Sequence, residues 1–196
     1  MDLKRVIINQ IIILSLQVIL YFGCEYFQKK PKNIATEFDK KIPVLPLFTL
    51  IYILWFPLIA IFPINLFLIS QAYYKVYIKA WILDIIISII IYMAHPTTFE
   101  RPKNLSEIKY GWMLKYVYKY SYKGVNCMPS MHCSISTLVL LAAILNFSLS
   151  PVLMSCYILV SVGIIVSTIF TKQHVIIDLI TGILLGAGLF FLFYFL

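Results

Sequence analysis

Apolar runs of about twenty residues recur along most of this 196-residue chain, and they leave little choice of fold. They lie at about 6–27, 45–70, 74–95, 133–149, 151–171 and 174–196. A helix needs roughly 20 apolar residues to cross the hydrocarbon of a bilayer. Inside lipid the backbone must satisfy its own hydrogen bonds, which favours helices over open sheets. The reading is therefore an all-α fold, a six-span transmembrane helical bundle with a long interfacial loop between spans three and four. Residues 1–196 form a single integral membrane domain. The hydrophobic share of 62% and charged share of 12% exclude an ordinary soluble domain.

The runs are not uniform. The second carries Pro57 and Pro63, so it should kink or end early. The fourth is short, and Asn146 to Pro151 makes a tight turn into the fifth. Lys4 and Arg5 precede the first run as in a signal peptide, but the run is long and ends in the bulky Tyr21 and Phe22. It reads as an uncleaved first span.

A net charge of +8 would suggest nucleic acid in a soluble protein. Here the lysines sit between apolar runs, which points to membrane lipids and phosphorylated lipids as partners and to no nucleic acid. Most basic residues fall in the odd-numbered loops, which by charge alone would be cytoplasmic. Charges kept for phosphate would distort that rule, and oligomeric state is not legible. Residues 28–41 form a surface loop or a short interfacial helix. The connection from about 96 to 133 interleaves Lys with Tyr and Trp over Ile108–Lys123. That pattern suits either a helix in the headgroup layer or a solvated loop with anchoring aromatics.

Two polar islands interrupt the spans, NCMPSMHCS (Asn126–Ser134) and TKQHVIID (Thr171–Asp178). An ionisable group at the edge of a span is costly to keep, so each is a candidate site. His174 and Asp178 stand at i and i+4, on one helix face, where the carboxylate can orient the imidazole for attack. Gly182 and Gly186 continue that register and would let a neighbouring helix come close. In the other island, Ser130 can cap a helix whose free N–H groups suit an anion, with His132 in its first turn as a proton donor. An intervening pair of spans returns the chain to the same side, together with Arg101 in Glu100–Pro102, a planar phosphate-binding cation. Lys172 could add a second positive charge.

An RP loop, then PSxH at a span start, then HxxxD one helix pair later resembles the type 2 phosphatidic acid phosphatase superfamily, over a catalytic core of about 90–190. The resemblance implies a metal-independent helical-bundle enzyme without cofactor. It also implies that His174 attacks phosphorus to give a phosphohistidine, Asp178 orients it, and His132 protonates the departing alkoxide. Arg101, Ser130 and adjacent amides would hold the phosphate oxygens. The expected activity is hydrolysis of a phosphomonoester or pyrophosphate of a lipid, phosphatidate-like or isoprenoid. The implied location is a multi-pass cell-membrane protein with its site on the extracytoplasmic face.

The chain departs from the common signature in two places. Ala94 stands where a Lys usually lies seven residues before the Arg of RP, and Thr168 stands where an Arg follows Ser167. The wording NCMPSMH and FTKQHVIID is instead similar to the inositol phosphorylceramide synthase-like branch. A phosphotransferase moving a phosphoryl or phospho-headgroup between lipids is therefore the alternative, with Lys172 replacing a lost cation. Two other classes stay open. A metal site would use His132, His174, Asp178 and Cys127 or Cys133, without defined ligand spacing. A non-enzymatic transporter or lipid-binding subunit would line a pathway with Asn9, Gln10 and Asp84. Cys24 and Cys156 read as span packing, and the spacing leaves a Cys127–Cys133 disulfide open.

Overall fold

The computed structural model describes residues 2–121, 123–146 and 148–196. Its long helices are α1 (Leu3–Phe27), α4 (Trp55–Ile69), α5 (Gln71–Ala94), α7 (Met131–Leu145), α8 (Pro151–Phe170) and α9 (Ile176–Phe195). Short elements join them: β1 (Lys32–Asn33), α2 (Glu37–Lys41), α3 (Thr49–Tyr52), β2 (Thr97–Thr98) and α6 (Gly111–Tyr120). Among the described residues, five helical segments are long and apolar enough to cross a membrane: α1, Pro46–Ile69, α5, α8 and α9. The chain is an integral membrane protein by that measure.

The sequence reading counted six spans, and α7 is the difference. Its 15 residues rise only about 22 Å, short of the roughly 30 Å hydrocarbon layer. The helix packs among α5, α8 and α9, with Cys133, Ile135, Leu138, Val139, Ala142 and Ala143 all buried. Protein rather than lipid surrounds it, so it need not match the bilayer's thickness.

Polar side chains turn inward along the spans. On α1 the buried positions Val6, Gln10, Ile13 and Gln17 recur at helical spacing. Gln10 Nε2 donates to the Ile59 carbonyl of α4 (2.8 Å), and Gln17 Oε1 accepts from Trp81 Nε1 of α5 (2.9 Å). These bonds tie α1 into the bundle. Asp84 of α5 accepts from Ser134 Oγ of α7 at 3.0 Å, a buried cross-brace. The second apolar run is broken at Ile53–Leu54, four residues ahead of Pro57. Pro57 has no N–H to give the Ile53 carbonyl, and its ring crowds it, so α3 stops and α4 restarts.

Residues 28–41 do more than cover a surface. β1 pairs in parallel with β2, Lys32 with Thr97 and Asn33 with Thr98, and so grips the segment leading to Arg101. Thr36 and Asp39 form a capping box at the start of α2. Within residues 108–123, α6 turns Leu114 and Val117 inward and leaves Trp112, Tyr116 and Tyr120 exposed. All four cysteines are free. Cys127 packs beside Phe99 and Val175, and no Cys127–Cys133 bond forms.

Candidate active site

The turn from α8 into α9 presents the first histidine. Lys172 N–H donates to the Ile169 carbonyl (3.2 Å) and Gln173 N–H to the Thr168 carbonyl (2.9 Å), the pair of bonds that closes a Schellman cap. Lys172 takes the left-handed conformation (φ 50°) that glycine usually supplies there. His174 N–H shares the Thr168 carbonyl at 3.1 Å. The chain then enters α9, and Asp178 lies in its first turn.

Asp178 is fully buried, and one of its oxygens does two jobs. Oδ2 accepts from Val175 N–H at 3.1 Å, which caps α9, and lies 3.2 Å from His174 Nδ1. A proton on Nδ1 is thereby held by the carboxylate, leaving the lone pair on Nε2.

The start of α7 supplies the second histidine. Ser130 Oγ accepts from Cys133 N–H (3.3 Å) as an N-cap, and Ser130 N–H donates to the Asp178 carbonyl (3.1 Å). That last bond joins the two helix starts directly. It requires close approach, and Gly182 permits it: a Cβ there would sit 2.5 Å from the Ser130 carbonyl oxygen. Gly186 meets the Ser134 carbonyl in the same way one turn on. The His132 and His174 ring centres are 5.7 Å apart. His132 lies against Tyr52 (4.6 Å, stacked) and Trp55 (4.4 Å, tilted), the residues that flank the break before Pro57.

Arg101 completes the group. Its guanidinium donates to the Ser121 carbonyl, to Ser121 Oγ (3.0 Å) and to Gln173 Oε1 (3.0 Å), and it lies over the Tyr118 ring at 4.8 Å. Its Nε is buried without a partner among the described residues. Lys172 faces elsewhere. Its Nζ donates to the Asp39 carbonyl at 2.8 Å. Burial pushes its ammonium pKa down, against which the Asp39 charge pulls it partly back.

Asp39 pins this corner. Its Oδ1 accepts from Ile176 N–H (2.8 Å) at the start of α9, and its Oδ2 accepts from Thr36 N–H (2.8 Å) and Oγ1 (2.6 Å). Burial pushes its carboxyl pKa up, but these hydrogen bonds and the Lys172 charge outweigh it and hold the value below the usual 3.8.

Two clefts meet here. An apolar one of ≈ 210 Å³ runs between α1, the α3–α4 break and α6, past Val18, Phe22, Ile53, Phe56 and Tyr116. A polar one of ≈ 460 Å³ is lined by Asn33, Asp39, Lys40, Glu100 and Lys172. Arg101 and His174 line both. Among the described residues no three His, Cys, Asp or Glu side chains gather as a metal-binding group.

The fold thus brings His132, His174, Asp178, Ser130 and Arg101 together and turns Lys172 towards Asp39. Gln173, Asp39, Tyr52 and Trp55 were not singled out from sequence. The Thr36–Asp39 cap could have been read from its spacing. The other three depend on contacts with segments distant in sequence.

The family model of the PAP2 superfamily matches residues 80–196, which spans α5 from its third turn through α9. No curated protein and no solved structure matches the chain.

Proposed function

The chain belongs to the PAP2 superfamily, whose members are generally phosphatases, and from that premise we propose that it is a membrane lipid-phosphate phosphatase working through a phosphohistidine. The observation that carries this reading is the oriented His174–Asp178 pair set 5.7 Å, ring to ring, from His132 beside Arg101. His174 Nε2 attacks phosphorus while Asp178 accepts the Nδ1–H bond and stabilises the growing imidazolium. The P–O bond to the lipid breaks, and His132 gives its proton to the departing alkoxide. A water, deprotonated by His132, then attacks the phosphohistidine and frees inorganic phosphate, returning both rings to their starting state. Arg101 and Ser130 hold the phosphoryl oxygens, and no metal is required.

The lipid's chain fits the apolar cleft, whose mouth carries exposed residues of two spans, Val18 and Phe22 of α1 and Phe56 of α4. The polar cleft lets Lys172 bear on the phosphate from its far side, at longer range than Arg101. By resemblance the site lies on the extracytoplasmic side of the cell membrane.

A second reading, phosphotransfer to a lipid hydroxyl, draws support from Thr168. It is fully buried and its hydroxyl donates to the Ile165 carbonyl (2.7 Å), so the position that carries a clamp cation in the common signature holds none.

The test is purified protein incubated with a panel of phosphorylated lipids, tracking free phosphate and new phospholipids together. Release of phosphate that survives EDTA and is abolished by His174→Ala supports the reading. A new phospholipid in place of phosphate moves it to transfer. Full activity in His174→Ala refutes both.

A further inference from the structure

Gln173 sits immediately before the attacking histidine and is only 4% exposed. A guanidinium can only donate, so the Gln173 atom 3.0 Å from Arg101 Nη2 is the carbonyl Oε1. The amide NH₂ is therefore turned away from Arg101. That Nε2 is buried and has no partner among the described residues. Nor is the residue loosely held, since its backbone N–H is fixed on the Thr168 carbonyl at 2.9 Å. A buried amide donor left unpaired in an otherwise satisfied turn needs a physical reason.

The cleft supplies one. Gln173 lines it with Arg101, His132 and His174. The buried unpaired polar atoms of the lining, among the described residues, are Trp55 Nε1, Arg101 Nε, His132 Nε2 and Gln173 Nε2. All four are nitrogens, and with His132 protonated all four are donors. A hole edged by donors alone is completed by a group rich in acceptors, and a phosphoryl group offers three non-bridging oxygens.

The geometry points to Gln173 as a phosphate ligand of this site: Nε2 donates to a non-bridging phosphoryl oxygen, and Arg101, through Oε1, sets the amide's direction. This rests on the phosphoryl-transfer reading above. It also accounts for how a site with Thr168 in place of a cation still surrounds its substrate. The missing charge is answered by a neutral donor, which leaves Arg101 as the permanent cation of the apolar cleft's lining.

Two variants of the full-length chain separate this role from a merely structural one. Gln173→Glu keeps an acceptor for Arg101 at the same reach but replaces the donor with a negative oxygen. Gln173→Met keeps the volume and removes both. The probes are inorganic phosphate, followed by ³¹P NMR titration in detergent, and vesicles containing phosphorylated lipids, followed by phosphate release. Both variants should bind phosphate at least tenfold more weakly and lose on the order of 10²-fold in kcat/KM. Gln173→Glu should melt within a few degrees of the wild type, because the Arg101 contact is kept. Phosphate affinity and turnover within twofold of wild type in Gln173→Glu would show that the residue only holds Arg101, and would overturn this inference alone. Wild-type protein that neither binds phosphate nor releases it from any lipid overturns the inference and the phosphatase reading together.

Discussion

Replacing Gly182 with alanine adds one methyl group between two helices, yet it should disable the site. The new Cβ would lie 2.5 Å from the Ser130 carbonyl oxygen and 3.0 Å from Cys133 Cβ. Ordinary contact begins at 3.4 Å, and the first obstacle is backbone that no rotamer change can remove. α9 and α7 must therefore separate by about 1 Å at this level, an overpacking cost of roughly 1–3 kcal/mol. The Ser130 N–H bond to the Asp178 carbonyl, 3.1 Å at rest, lies on the line of separation and would break. His174 rides on α9 and His132 on α7, so the same shift widens their 5.7 Å spacing. A misplacement of that size costs about 10²-fold in rate where two groups act in sequence on one phosphorus. The assay pairs phosphate release from lipid vesicles with thermal unfolding in detergent. Gly188→Ala is the control on the same helix, since a Cβ there meets nothing within 4 Å and alanine favours the helix by up to about 1 kcal/mol. Equal activity and equal melting in the two variants would refute the argument that helix contact sets the catalytic geometry.

Other expectations follow from individual contacts. The rate should be bell-shaped in pH, because a neutral His174 attacks while a protonated His132 donates; a monotonic profile through neutrality contradicts that division. Tyr52→Leu removes an aromatic face from His132, and the loss of cation–π support should move its limb of the profile to lower pH while Tyr52→Phe leaves it in place. Asp39 has its folded pKa below its unfolded one, so its stabilisation is present above about pH 4 and is lost as pH falls through the folded value. Asp39→Asn should therefore melt earlier than the wild type at neutral pH and converge with it in acid, and a constant gap would argue against the carboxylate. Lys172→Gly keeps the left-handed turn and removes the side chain, its charge and its Asp39 hydrogen bond together; a rise in KM with the melting point maintained would assign Lys172 a part in binding phosphate, and unchanged kinetics with a lower melting point would leave it the Asp39 contact alone.

How much of the site was visible beforehand depends on the range of the contact involved. His174 with Asp178, and Ser130 with the start of α7, are local pairs whose spacing puts them together on any helix. Gly182 and Gly186 were legible as a close-approach stripe because small residues at that spacing have few other uses in a membrane helix. Gln173 was not, since a glutamine beside a histidine has no meaning until Arg101, 72 residues away, turns its amide. Asp39 looked like one charge in a polar loop, and only the packing of that loop against α9 makes it a helix cap. The family match begins at residue 80, yet α1, α2 and the α3–α4 break supply the apolar cleft's wall, the Asp39 anchor and the aromatic bed of His132.

Apolar run length and the cost of charge in lipid determined, from sequence alone, a helical membrane protein with its polar islands at the ends of helices. Periodicity within each helix determined which residues share a face. Tertiary structure decided which helix ends meet and how close they come, and with that it turned Lys172 to Asp39, left the Gln173 donor without a partner among the described residues and stacked His132 on Tyr52. The reason is range: hydrophobicity and helical spacing act within a segment, whereas the direction of a hydrogen bond between segments exists only once both backbones are in place.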